Sequence, residues 1–306
     1  MSAALQILAA EELARAAPPV VILAGAQLAA QSPGALAVLY YGSTLRTGEL
    51  DGVLDFYVLT RRPPDGLRGL ASRLLWPDVS YHEIGTDQGL VRAKVATMTL
   101  AQFQGAARGR GLDTTVWTRF AQPARLIWSL DVETAAEVAR AVGGALATAA
   151  GYAAVLGPSE GPAEAYWRAL FRQTYAAEFR VEAGGREQSI IEADAERYAR
   201  LLPLALRADG VDVTEGEGGR LTPGLSPADR RRRLGAWRLR RAFGQPLNLA
   251  RLAKATFTFA GAARYAAWKI ERHTGIAVPL TPWRERHPIL AAPGVLWRLW
   301  RRKRAA

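Results

Sequence analysis

Two short segments carry residue types that could do chemistry together. Tyr41-Gly42-Ser43-Thr44 closes an apolar run, and Asp55 follows between Leu54 and Phe56. A Gly-Ser turn after a strand lets backbone amides approach a polyphosphate, and the serine hydroxyl can hold a phosphate oxygen. A carboxylate on the next strand, pointing away from its apolar neighbours, is a magnesium ligand of the expected kind. Mg²⁺ takes one or two carboxylates and completes its shell with phosphate oxygens and water. The competing reading is a common turn and a capped loop aspartate. The sequence has no cysteine, which excludes disulfides, thiolate zinc sites and a cysteine nucleophile. His82, His273 and His287 are too scattered for a histidine metal site. The available chemistry is that of carboxylates, hydroxyls, arginines and magnesium.

The elements that must position these residues follow from pattern. Residues 35–41 and 53–60 read as buried strands, with a turn at Arg61, Pro63, Pro64 and Asp65. Further strands are expected at 79–84 and 124–128. Helices are expected at 3–16, 20–30, 67–75, 99–108 and 190–206, with one or two alanine-rich helices over 131–156. Trp167, Leu170, Phe171 and Tyr175 fall on one helical face within 164–175. A short strand is expected at 178–182. A stretch rich in Gly, Asp, Glu and Pro over 208–227 reads as a linker, and beyond it lie a basic run, an aromatic helix at 255–273 and proline-rich turns at 279–294.

The 306 residues suggest about two domains, and 49% apolar residues are enough for a packed core. The net charge of +12 is uneven. Residues 221–306 hold 19 Lys+Arg against 3 Asp+Glu, a net of +16, while residues 1–220 hold 21 against 25, a net of −4. Such asymmetry points to a polyanionic surface. Leu296, Leu299 and Trp300 share a helical face opposite Arg298, Arg301 and Arg302, and Trp297 adjoins them. Tryptophan beside arginine favours an anionic membrane surface over nucleic acid. The first residues lack a basic stretch, and Glu11 and Glu12 interrupt the apolar run, so no signal peptide is expected. No membrane span is expected either. The expected location is cytoplasmic, peripheral on the inner face of the cell membrane.

The Gly-Ser turn and following aspartate resemble the layout of the polymerase-beta-like nucleotidyltransferases. There the aspartate is one of an Asp-x-Asp/Glu pair, whereas here the second position is Tyr57. The longer resemblance is to the mitochondrial translocator-assembly-and-maintenance type of phosphatidate cytidylyltransferase. That family carries a Tyr-Gly-Ser turn and a Leu-Asp-Phe strand with a single aspartate, as in Tyr41-Gly42-Ser43 and Leu54-Asp55-Phe56. The segments Ala93-Lys94-Val95-Ala96 and Pro123-Ala124-Arg125 are similar to later family segments. So are Thr174-Tyr175-Ala176-Ala177-Glu178-Phe179-Arg180, with Glu in place of Asp, and Gly261 with Tyr265-Ala266-Ala267-Trp268-Lys269. They occur in family order over residues 38–272.

The resemblance implies an α+β fold with a nucleotidyltransferase-like mixed sheet, a helical winged-helix-like module and a basic helical C-terminal region. It implies a core at 1–130, a helical module with a return strand at 131–207, and a linker with a membrane-binding region at 208–306. CTP and phosphatidate would give CDP-diacylglycerol and pyrophosphate with magnesium held by Asp55 and Glu178. Tyr41, Gly42, Ser43, Thr44, Arg125 and Arg180 would hold the nucleotide, and Lys94 would neutralise charge at the reacting phosphates. Each cation has a structural alternative. Lys94 reads equally as a solvated helix-face charge, Arg125 as a partner of Asp131 or Glu133, and Arg180 as a partner of Glu178 or Glu182. Tyr57 reads as a core aromatic and His82 as a strand-end hydrogen-bonder. Two other functions stay open at this level. One is a soluble nucleotidyltransferase acting on RNA, protein or a small molecule. The other is a non-catalytic membrane-associated protein with a degenerate transferase domain.

Overall fold

The computed structural model describes residues 2–86, 89–177, 186–274 and 277–286. The chain opens with α1 (Ala3–Ala14), α2 (Pro19–Gln31), β1 (Ala35–Tyr41), α3 (Ser43–Thr47), β2 (Val53–Thr60) and α4 (Gly66–Leu74). It continues with β3 (Asp78–Thr86), β4 (Gly89–Thr99), α5 (Leu100–Ala107), α6 (Thr115–Phe120) and β5 (Ala124–Ser129). Next come α7 (Val132–Leu156), α8 (Ala163–Ala177), α9 (Arg186–Glu192) and α10 (Ala195–Ala208). A hairpin of β6 (Asp212–Glu215) and β7 (Leu221–Gly224) leads to α11 (Pro227–Thr258), α12 (Ala262–Thr274) and α13 (Pro282–Arg286).

The fold is mixed α+β around a five-stranded mixed sheet in the order β3-β4-β2-β1-β5. β2 and β4 run parallel, and the other neighbours are antiparallel. Alternation sorts the strand residues between two cores. Val38, Tyr40, Leu54, Phe56 and Val58 pack with α2 on one face. Ala37, Leu39, Tyr41, Tyr57 and Leu59 pack on the other with a thick helical layer that includes residues of α1, α5, α6, α7, α8 and α10. Tyr57 is buried there against the rings of Tyr41, Phe103 and Phe120, as its core-aromatic reading expects.

α7 is the centre of the helical layer. Its Ala and Gly residues keep it thin, so α1, α5, α6, α8 and α10 all approach it closely. Asp131 starts the helix by accepting from the Thr134 amide at 2.7 Å. α7 is long and apolar enough to cross a bilayer, but 89% of its most apolar window is buried within the protein. α1 and α2 meet that test only jointly, and they are bent by 100° at the break between them.

Three expectations change. Residues 208–227 include a β-hairpin, because the glycines at 216, 218 and 219 serve its turn. Leu221 of that hairpin is buried, bridges Gly161, and accepts from the Tyr166 hydroxyl at 2.6 Å. Residues 89–99 form the longest strand, and Lys94 lies in it, so its helix-face reading fails. The helix expected at 255–273 is two, broken around Gly261, whose φ of +79° suits glycine. The return strand expected at 178–182 lies outside the described residues.

A buried ion pair joins α1 to α10. Arg197 meets Glu12 through Nε at 2.7 Å and Nη2 at 2.8 Å, and its Nη1 donates to the Ala121 carbonyl at 3.0 Å. The side chains are only 6% and 7% exposed. Removing one partner strands the other charge, so Glu12→Ala should lower unfolding free energy by roughly 3–5 kcal/mol. Urea denaturation checks this, and a loss below about 1 kcal/mol, the worth of an exposed pair, contradicts it.

Candidate active site

The sheet register builds the site. Tyr41 stands opposite Asp55 on the antiparallel β1-β2 pair, Lys94 lies beside Asp55 on the parallel β2-β4 pair, and Tyr81 lies opposite Lys94 on β3. Asp55 alternates with Leu54 and Phe56, so it shares the face of Tyr57 and Leu59, but nearer the strand's start. One step further, Arg92 of β4 stands beside Val53 and opposite Glu83.

The turn after β1 is shaped for close approach. Gly42 has φ 102°, and a Cβ there would lie 2.7 Å from Asp55 Oδ2. The missing side chain lets the turn backbone lie against that carboxylate. Ser43 begins the short α3 and is half-buried. Thr44 is buried, and its hydroxyl accepts from the Tyr40 hydroxyl at 3.0 Å, so it braces the turn. Arg46 donates to Gln122 at 2.9 Å. Arg119 donates to the Tyr41 hydroxyl at 2.8 Å and lies over its ring at 5.2 Å. Burial pushes the Tyr41 hydroxyl pKa up, Arg119 opposes the shift, and nearby Asp55 adds to it.

α12 flanks the same end of the sheet. The Tyr81 amide donates to the Ala260 carbonyl at 2.8 Å, and Gly261 sits so close to the Tyr81 carbonyl that a Cβ would collide with it. This contact sends α12 alongside the strands. Tyr265 meets the Tyr81 ring at 5.5 Å, and burial followed by the Asp55 charge raises its pKa. Lys269 lies over the Tyr265 ring at 5.9 Å. Trp268 receives Arg92 at 5.7 Å and Arg272 at 5.3 Å from its ring centroid. Arg272 also donates to the Asp51 carbonyl at 3.1 Å, tying α12 to the loop before β2. The Tyr81 hydroxyl donates to Glu83 at 3.1 Å, and burial with that carboxylate pushes its pKa up to about 12.

Tyr41, Gly42, Ser43, Asp55 and Lys94 are therefore brought together. Arg125 is not. It lies on the edge strand β5, in register with Tyr40, and donates to the Glu12 carbonyl at 3.2 Å and the Ala124 carbonyl at 2.9 Å. Its structural partners lie in α1 and its own strand, in place of the Asp131 or Glu133 expected. Burial, with Arg15 nearby, lowers its pKa. His82 lies within β3, and its Nε2 is 2.8 Å from the Ser80 hydroxyl, the hydrogen-bonding role expected of it. Glu178 and Arg180 lie outside the described residues, as do Trp297, Arg298, Trp300, Arg301 and Arg302. Among the described residues no group of three His, Asp or Glu could hold a metal ion. Asp55, a single carboxylate beside the Gly42 turn, is the donor type for a magnesium ion that takes most of its shell from phosphate and water.

The sequence reading passed over Arg92, Arg119 and Arg272. Arg92 and Lys94, two residues apart, share one face once 89–99 is known to be a strand. The i,i+4 spacing of Trp268 and Arg272 would have paired them on a helix. No protein-family model matches the chain, and no curated protein matches it either.

The glycine has a direct test. Gly42→Ala combines a positive φ with a contact too short for a real Cβ, so it should cost about 1–3 kcal/mol of stability. Ser43→Ala, one residue on, should cost less than about 0.5 kcal/mol. Equal losses in urea melts of the two variants would contradict the close approach to Asp55.

Proposed function

We propose that this chain is a magnesium-dependent phosphatidate cytidylyltransferase that makes CDP-diacylglycerol from CTP and phosphatidate. The observation that carries the reading is Asp55. It stands against a glycine turn whose backbone comes close to its carboxylate, with Lys94 in register on the next strand. Arg92, Lys269 and Arg272 add cations on the same side. Cations of this density, set against Asp55 and Glu83, suit a triphosphate and a second phosphate better than a neutral substrate.

The chemistry is an in-line displacement. A phosphatidate phosphate oxygen forms a bond to the α-phosphorus of CTP, and the bond from that phosphorus to the bridging oxygen breaks. Pyrophosphate leaves with that electron pair. Such transfers depend on positioning and charge neutralisation. Bound magnesium would supply charge stabilisation and hold phosphate oxygens in place. Asp55, with Glu178 as the proposed second carboxylate, would hold it. Gly42 and Ser43 would admit and bind phosphate oxygens through the turn. Lys94 would oppose charge at the reacting phosphates, and Arg180 would do so for the nucleotide.

Tyr41 and Thr44 would shape the turn from behind. Under this reading the sheet is nucleotidyltransferase-like. The helical material over 131–207 would supply the winged-helix-like module. Trp297, Arg298, Trp300, Arg301 and Arg302 would help hold the protein to the inner face of the cell membrane.

The test is release of pyrophosphate from CTP with phosphatidate dispersed in detergent and Mg²⁺ present. Asp55→Asn should reduce kcat at least about 100-fold with the melting temperature retained, and Lys94→Ala should cost about 100-fold. Absence of phosphatidate-dependent turnover with every nucleoside triphosphate would overturn the proposal. So would Asp55→Asn at the parent rate.

A further inference from the structure

The long helix α11 has two distinct faces, and only one is docked on the body. At about 3.6 residues per turn, Arg233, Trp237, Arg240, Arg251 and Lys254 fall on one side. That side is docked. Trp237 is buried against Tyr152, Arg233 pairs with Asp209 at 2.6 Å, Arg240 donates to the Gly109 carbonyl at 2.6 Å, and Arg251 and Lys254 pair with Asp113 and Asp78.

Leu239, Ala242, Phe243, Pro246 and Leu249 recur at helical spacing on the other side and are all exposed. Leu239 is 55% exposed, Phe243 50% and Leu249 68%. Arg231, Arg238 and Arg241 border this stripe and are exposed too; among the described residues none has an acidic partner. Large apolar side chains in a row on a solvent face are uncommon in a monomer and mark a contact surface.

We propose that this outer face of α11 is a docking surface for an anionic phospholipid membrane, in addition to the terminal segment at 296–304. The charge pattern selects the partner. The docked cations of α11 are matched by acceptors in the body, whereas those bordering the stripe are left to the outside. An apolar stripe beside arginines suits the boundary between acyl chains and anionic headgroups. A nucleic acid would use the arginines and leave Leu239, Phe243 and Leu249 in water. The surface deepens the proposed function by supplying access to a lipid substrate, but its test does not depend on catalysis.

Full-length protein is sedimented with vesicles of equal parts phosphatidylcholine and phosphatidylglycerol, and with phosphatidylcholine alone. The parent should bind the anionic vesicles only. Leu239→Asp combined with Phe243→Asp and Leu249→Asp should weaken binding about tenfold or more, with an unchanged melting temperature because these side chains are exposed. A second variant, Arg231→Gln with Arg238→Gln and Arg241→Gln, should weaken binding and flatten its salt dependence. On detergent-dispersed phosphatidate the first variant should turn over CTP at the parent rate, which separates loss of docking from failure of the catalytic reading. A parent that ignores anionic vesicles overturns the proposal, and so does an aspartate triple variant that binds them as the parent does. Tight binding of an RNA oligonucleotide that the same aspartate variant abolishes overturns it in favour of a nucleic-acid surface.

Discussion

Lys254 and Asp78 form an ion pair in which each side chain is only 7% exposed, and the arrangement of the basic third of the chain depends on it. A charge removed from water needs a partner and further hydrogen bonds where it comes to rest. Lys254 also donates to the Leu75 carbonyl, and Asp78 accepts from Ser72. Arg251 with Asp113 and Arg233 with Asp209 repeat the device along α11. Gly151 of α7 makes room for the last of these pairs, because a side chain there would collide with both Asp209 and Arg233. Such pairs add modest net stability, but they admit only one seating of the helix, since sliding it would leave several buried charges without partners.

That seating decides what covers the sheet end. α11 delivers the chain to Ala260 and Gly261 beside β3, and α12 then runs past Tyr81 and the Asp55 end of the strands. Tyr265, Trp268, Lys269 and Arg272 reach the candidate site only because α11 is held upstream of them. The aromatic rings there pack against one another and carry cations over their faces, so the positive charge is held in place by packing as well as by acids. Among the described residues of 221–286, several of the cations behind the surplus of +16 over 221–306 go to three kinds of place. Some cations are matched within the body, some gather near Asp55, and some border the exposed stripe of α11.

Much of the local structure was legible. The strand at 53–60 was read with its observed bounds because Leu54, Phe56 and Val58 alternate with residues of the second core. Tyr41-Gly42-Ser43 and Asp55 were found by type and spacing, and the register sets Tyr41 opposite Asp55. β4 escaped because Ala93, Ala96, Thr97 and Thr99 give too little hydrophobic contrast between its faces. The hairpin at 212–224 reads as a linker because Gly216, Gly218, Gly219, Pro223 and Gly224 are turn-forming types, and the burial of Leu221 comes from contacts with α8 and Gly161.

The sequence by itself determined which groups could do chemistry and where the chain would turn, because residue type and short-range periodicity act within a few positions. It also determined that the charge would be divided between an acidic body and a basic third. Only the tertiary structure decided which cations stand near Asp55. Lys94 arrives through a parallel pairing that local pattern does not encode, and Arg272 through a helix seated by ion pairs far upstream. Arg125, equally basic and nearer to Asp55 in sequence than Arg272, turns instead toward α1. Sequence distance carries no information about strand register or helix docking, and those two quantities set the neighbours of a carboxylate.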